Sequence, residues 1–148
     1  MSAPPPTVCQ MYELIEEAFV PARLDRVWTD FTEAAALAEW IWPPRFDATA
    51  DVDLRPGGGW EVRSEVAELT VPATIVTVDA PRSLRLAWRW AGESHTTDAE
   101  ISLVSVTDES TRVVVRHSGF LTPEERQSHV EGWSNCLQRL VERHGGSG

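Results

Sequence analysis

Residues 48–66 read ATADVDLRPGGGWEVRSEV, and the alternation in this stretch decides the fold. Ala50, Val52 and Leu54 alternate with Asp51, Asp53 and Arg55, the period-two pattern of a strand with one buried and one wet face. Pro56-Gly57-Gly58-Gly59 supplies a turn, because glycine reaches the positive φ values that tight hairpins demand. Beyond it Trp60, Val62, Ser64 and Val66 alternate with Glu61, Arg63 and Glu65, so the chain returns as a second strand. The reading is a β-hairpin.

Working outward toward the C-terminus, strands are expected over residues 71–78, 84–90, 97–106 and 111–118. Turns fall at Asp79-Ala80-Pro81 and near Asp108-Glu109-Ser110. Leu84, Leu86, Trp88 and Trp90 oppose Arg85, Ala87 and Arg89. Val113, Val115 and His117 likewise oppose Arg112, Val114 and Arg116, so His117 is predicted to point inward. Pro123, after Thr122 as N-cap and before Glu124 and Glu125, opens a helix that runs to about residue 143. Val130, Trp133, Leu137 and Leu140 form its apolar stripe.

Toward the N-terminus the period changes. Residues 8–19 suit a first strand, closed by Pro21. Leu24, Val27, Trp28 and Phe31 lie at helical spacing. Thr32 with Glu33 can cap a second short helix over residues 34–40, which Pro43-Pro44 ends. The expected fold is α+β: a curved antiparallel sheet of six to seven strands around a long C-terminal helix, with two short helices after the first strand. Residues 8–143 are expected to form one domain with an apolar cavity between sheet and helix, and residues 1–7 and 145–148 to be flexible tails.

Composition removes several function classes. A formal net charge of −10 opposes the counterion release that nucleic acids and anionic membranes require. All 13 basic residues are arginine, so Schiff-base chemistry has no side-chain amine to use. Cys9 and Cys136 lack any C-x-x-C spacing and read as two buried thiols or an incidental disulfide. No secretory h-region and no stretch of ~18 apolar residues is present, so a cytoplasmic protein is expected. The four histidines are widely separated, with no H-E-x-x-H string. The glycine turn lacks the lysine of a phosphate loop, and no serine sits in a nucleophile elbow, so neither metal nor organic cofactor is expected.

Several strings occur together in a recognisable order. They include Pro21-Ala22, Val27-Trp28, Phe31-Thr32, Asp53-Leu54-Arg55-Pro56-Gly57-Gly58, Trp88-Arg89-Trp90, His117-Ser118-Gly119-Phe120 and Gly132-Trp133. In this combination the chain, from about residue 8 to 141, resembles the activator-of-heat-shock-protein-ATPase homologues of the START-like (SRPBCC) superfamily. The resemblance implies a helix-grip fold and a ligand cavity. Where such proteins often carry a glycine before residues 75–79, this chain has Val71-Pro72, and a proline within a strand predicts an edge or a bulge.

The cavity lining expected from the inward faces is Trp28, Trp60, Val62, Leu86, Trp88, Ile101, Leu103, Val115, His117, Val130, Trp133 and Leu137. Any one of the seven tryptophans reads as core filling, but as a group they make a wall for a planar apolar ligand. The leading expectation is binding of a hydrophobic or aromatic small molecule. The superfamily also implies a polyketide cyclase or aromatase with His117 as acid or base, and the family name implies modulation of a chaperone ATPase through a protein partner. For a lone strand histidine, the simpler reading is a hydrogen-bonded structural residue.

Overall fold

A computed structural model describes residues 12–93 and 95–145. In chain order its elements are β1 (Tyr12–Val20), α1 (Leu24–Thr32), α2 (Ala34–Trp40), a 3-10 turn (Pro44–Phe46), β2 (Thr49–Val52) and β3 (Gly59–Ser64). These are followed by β4 (Leu69–Asp79), β5 (Ser83–Trp88), β6 (Thr97–Thr107), β7 (Ser110–Phe120) and α3 (Pro123–Arg143). The strands form one antiparallel sheet in the order β1-β7-β6-β5-β4-β3-β2. This is the expected α+β helix-grip arrangement with seven strands. The expected tail over residues 1–7, Cys9 and residues 146–148 lie outside the described residues.

The hairpin over residues 48–66 pairs Val52 with Trp60 and Ala50 with Val62. Gly57 takes a φ of +87°, and a Cβ on Gly58 would sit 2.0 Å from the Asp53 carbonyl oxygen, so neither position admits another residue without strain. Trp60 and Val62 are buried, as are Leu84, Leu86, Val113, Val115 and His117 on the same face of the sheet. Thr122 caps α3 by accepting from the Glu125 amide, while the Glu125 carboxylate accepts from the Leu121 amide at 2.8 Å.

The structure corrects three local expectations and meets a fourth. Val66 is 69% exposed because β3 ends at Ser64, whose hydroxyl accepts from the Ala67 amide and donates to the Phe46 carbonyl, turning the chain. Leu54 lies beyond the end of β2 and is exposed. Thr32 does not cap α2, since its hydroxyl donates back to the Trp28 carbonyl and the N-cap is Glu33 without a side-chain bond. The expectation at Pro72 holds locally: β4 is central in the sheet, but Pro72 pairs only with Glu61 of β3, the pairing with β5 begins at Thr74–Ala87, and a register shift follows between Ile75 and Thr77.

The C-terminal half of α3 is tied down. Arg143 and His144 hold the buried Asp30 carboxylate of α1 at 3.0 and 2.6 Å. Arg139 donates to the carbonyls of Trp40 and Ile41 at the end of α2. Trp40 and Trp60 donate their indole N–H groups to the carbonyls of Asp30 and Phe31, which locks the two short helices onto the sheet.

Candidate functional site

Most of the space expected to be a cavity is occupied by side chains. Trp60, Val62, Leu86, Ile101, Leu103, Val115, His117 and Leu137 are each at most 2% exposed and pack into one core with Phe31, Trp40 and Phe120. Trp28 on α1 and Val130 on α3 are half-buried against the same core. Trp88 and Trp133 differ from the other ten, because they also line a cleft of about 630 Å³.

This cleft lies at the mouth between α3, the segment after α2 and the loop after β5. Its floor is made of buried residues, Ile41, Trp88, Trp133 and Cys136. Trp42, Phe46, Trp90 and His129, all half-buried, form the walls, and the exposed Arg45, Glu93, Ser128 and Asn135 form the rim. The aromatic rings run continuously from rim to floor. Trp42 and Trp90 are parallel within 10° at 6.4 Å between centroids, Trp90 meets Trp88 edge-on at 6.0 Å, and Trp88 packs at 5.4 Å from Trp133. The Trp88 indole N–H is the buried side-chain donor without an acceptor among the described residues.

Two histidines, His117 behind these rings and His129 in the wall, lie 5.2 Å apart, and hydrogen bonding fixes the tautomer of each. Trp133 donates to His117 Nδ1 at 3.0 Å, so His117 carries its proton on Nε2 and donates to the Thr97 hydroxyl at 2.6 Å; that hydroxyl donates onward to the Trp88 carbonyl. Trp90 donates to His129 Nε2 at 3.0 Å, and His129 Nδ1 donates to the Glu125 carbonyl at 2.8 Å. Burial, helped by the neighbouring His129, pulls the His117 imidazole down from 6.5 to about 3, so it is neutral at physiological pH. Cys136 donates its thiol proton to the Ile41 carbonyl at 2.8 Å, and burial pushes that thiol up to about 11. Among the described residues no group of three or more His, Cys, Asp or Glu is placed to hold a metal ion.

The face of α3 that meets the cleft runs through Glu125, His129, Gly132, Cys136 and Arg139, at spacings of four, three, four and three. It lies directly beside the apolar stripe read from the sequence, and its mixed polarity concealed it. Gly132 is a further sign. It is exposed in mid-helix, where glycine costs about 1 kcal/mol relative to alanine, yet a Cβ there would meet no atom within 4 Å.

Solved structures similar to this fold include protein Ms6760 from Mycobacterium smegmatis, with 22% identity, a TM-score of 0.76, and coverage of 88% of this chain and 89% of that one. Protein CV1439 from Chromobacterium violaceum aligns with 18% identity and a TM-score of 0.78 over 91% and 98% of the two chains. PFC0360w, an HSP90 activator from Plasmodium falciparum, aligns with 18% identity and a TM-score of 0.70 over 91% and 96%. At these identities the likeness speaks for the fold alone. No curated protein matches the sequence. The family model described as activator of Hsp90 ATPase homolog 1-like protein matches residues 21–145, and the chain therefore belongs to that family, as the ordered strings had implied.

Proposed function

We propose that the protein binds a hydrophobic or aromatic small molecule in the cleft at the mouth of the helix grip. The observation that carries this reading is the continuous aromatic lining of the cleft, from Trp42 and Trp90 at the wall to Trp88 and Trp133 at the floor. A volume of about 630 Å³ falls within the range of small-molecule sites, which combine apolar walls with a few placed polar groups. Gly132 supports the same reading, since it keeps the helix face open at this point at a cost in helix stability.

Binding is favoured over an acid–base role for the two central histidines. His117 lies under Trp88 and Trp133 and does not line the cleft, and both of its nitrogens are engaged. His129 does line the cleft, but its nitrogens are also taken, by Trp90 and the Glu125 carbonyl. Gly132→Phe provides the test, because it places a ring in the cleft without disturbing the core. Native mass spectrometry of the wild type with a library of aromatic metabolites is expected to show a bound mass that the folded Gly132→Phe variant loses. Equal retention by both proteins would place the ligand elsewhere and reject the reading.

A further inference from the structure

We infer that the cleft selects planar aromatic acids, with the ring system on the Trp42–Trp90 surface and the anionic group on Arg139. The inference rests on the proposed function and adds the chemistry of the ligand. Trp42 and Trp90, stacked parallel within 10° at 6.4 Å between centroids, set their aromatic faces in one orientation, and a planar ring system stacks along that direction better than a branched aliphatic chain.

The charge comes from a guanidinium that is already fixed in place. Arg139 is half-buried, and its Nε and Nη2 are held by the Trp40 and Ile41 carbonyls at 3.0 and 2.9 Å, with Cys136 Sγ at 3.5 Å. Its Nη1 makes no hydrogen bond, and no carboxylate pairs with it, among the described residues. A rigid cation facing a cleft with a spare donor is pre-organised for an anion, and little side-chain entropy is lost when the anion arrives. Arg45, on the rim with its guanidinium 5.3 Å from the Phe46 ring centre, adds a second cation without a carboxylate partner among the described residues.

The opposite end of the cleft is acidic, so the ligand has a preferred direction. Glu125 stands fourteen residues before Arg139 on α3, roughly 21 Å along the helix axis, and Glu93 lies on the exposed rim. An anion is repelled from that end and drawn to the other. Between them, the buried Trp88 ring, 7% exposed, forms the apolar floor under the bound rings.

The test holds the ring constant and changes its charge. Anthracene-2-carboxylate, 2-(hydroxymethyl)anthracene and 2-(aminomethyl)anthracene as its ammonium are titrated into the protein by calorimetry at fixed ionic strength. The carboxylate is expected to bind about tenfold tighter than the alcohol, with the ammonium weakest. Arg139→Gln is expected to remove that advantage, and Arg45→Gln, at an exposed position, to reduce it by about twofold. If the alcohol binds as tightly as the acid, the inference falls while small-molecule binding stands. If none of the three binds, the inference falls, and the Gly132→Phe comparison alone decides small-molecule binding. The wild-type ranking alone decides the matter, so a destabilised Arg139→Gln protein does not leave it open.

Discussion

The interface between sheet and α3 contains two tryptophan–histidine pairs in contrasting surroundings. Trp133 with His117 sits in the core, closed by Thr97 and the Trp88 carbonyl, with both histidine nitrogens matched and neither side chain more than 3% exposed. Trp90 with His129 forms the wall of the cleft, half-buried, beside an indole donor that has no partner and arginines that have no acid. The same chemical pair thus serves as an internal brace in one place and as part of an open surface in the other. Neighbouring volume accounts for the difference. The buried Trp88 ring packs at 5.4 Å from both rings of the inner pair, whereas Gly132 and the loop after β5 leave room around the outer one.

Removing one ring from each region gives the largest contrast. Trp60→Ala deletes a fully buried ring and frees the Phe31 carbonyl, and is expected to cost roughly 3–5 kcal/mol in urea denaturation. Trp42→Ala, on the half-buried wall, is expected to cost roughly 1 kcal/mol while weakening ligand binding. Equal losses would erase the distinction between core and cleft.

The next effect is one of pH. The folded-state value of about 3 for His117 lies below the ordinary 6.5, so between these values the unfolded chain holds a proton that the folded chain lacks. The stability that His117 contributes is fully present above 6.5. It falls as the pH drops toward 3, by up to about 1.4 kcal/mol per pH unit. His117→Gln, which can still accept from Trp133 and donate toward Thr97, is expected to flatten this dependence. Denaturation midpoints at pH 7, 6, 5 and 4 measure it, and identical slopes for the two proteins would show that the inner imidazole does not resist protonation.

Gly132→Ala gives the smallest effect and sharpens the contrast from the other side. A methyl group there meets open space and removes the helix cost of glycine, so a gain of about 0.5–1 kcal/mol is expected in thermal melting. A loss of stability would mean that the cleft is closed at that point.

The fold was legible because hydrophobic period reports faces directly. The alternation in residues 49–52, 59–64 and 84–88, and the Val130–Trp133–Leu137–Leu140 stripe, are local patterns that the sheet and α3 reproduce. The site was less legible, because facing inward does not say whether the space opposite is full. Trp60 and Val115 point inward and meet side chains from distant segments, so their neighbourhood is closed. Arg139 belongs to the cleft through carbonyls almost a hundred residues earlier in the chain, a link that spacing cannot reveal. Trp90 continues the alternation of β5 in sequence, but the strand ends at Trp88, and that stop moves the ring from the sheet face to the cleft wall.

The most direct test of the account follows the indole N–H signals of the seven tryptophans by nitrogen-edited NMR as anthracene-2-carboxylate is added. The signals of Trp42, Trp88, Trp90 and Trp133 are predicted to shift, and those of Trp40 and Trp60, bonded to backbone carbonyls inside the core, to stay in place. Shifts concentrated at Trp40 and Trp60, with the four cleft signals unmoved, would contradict it.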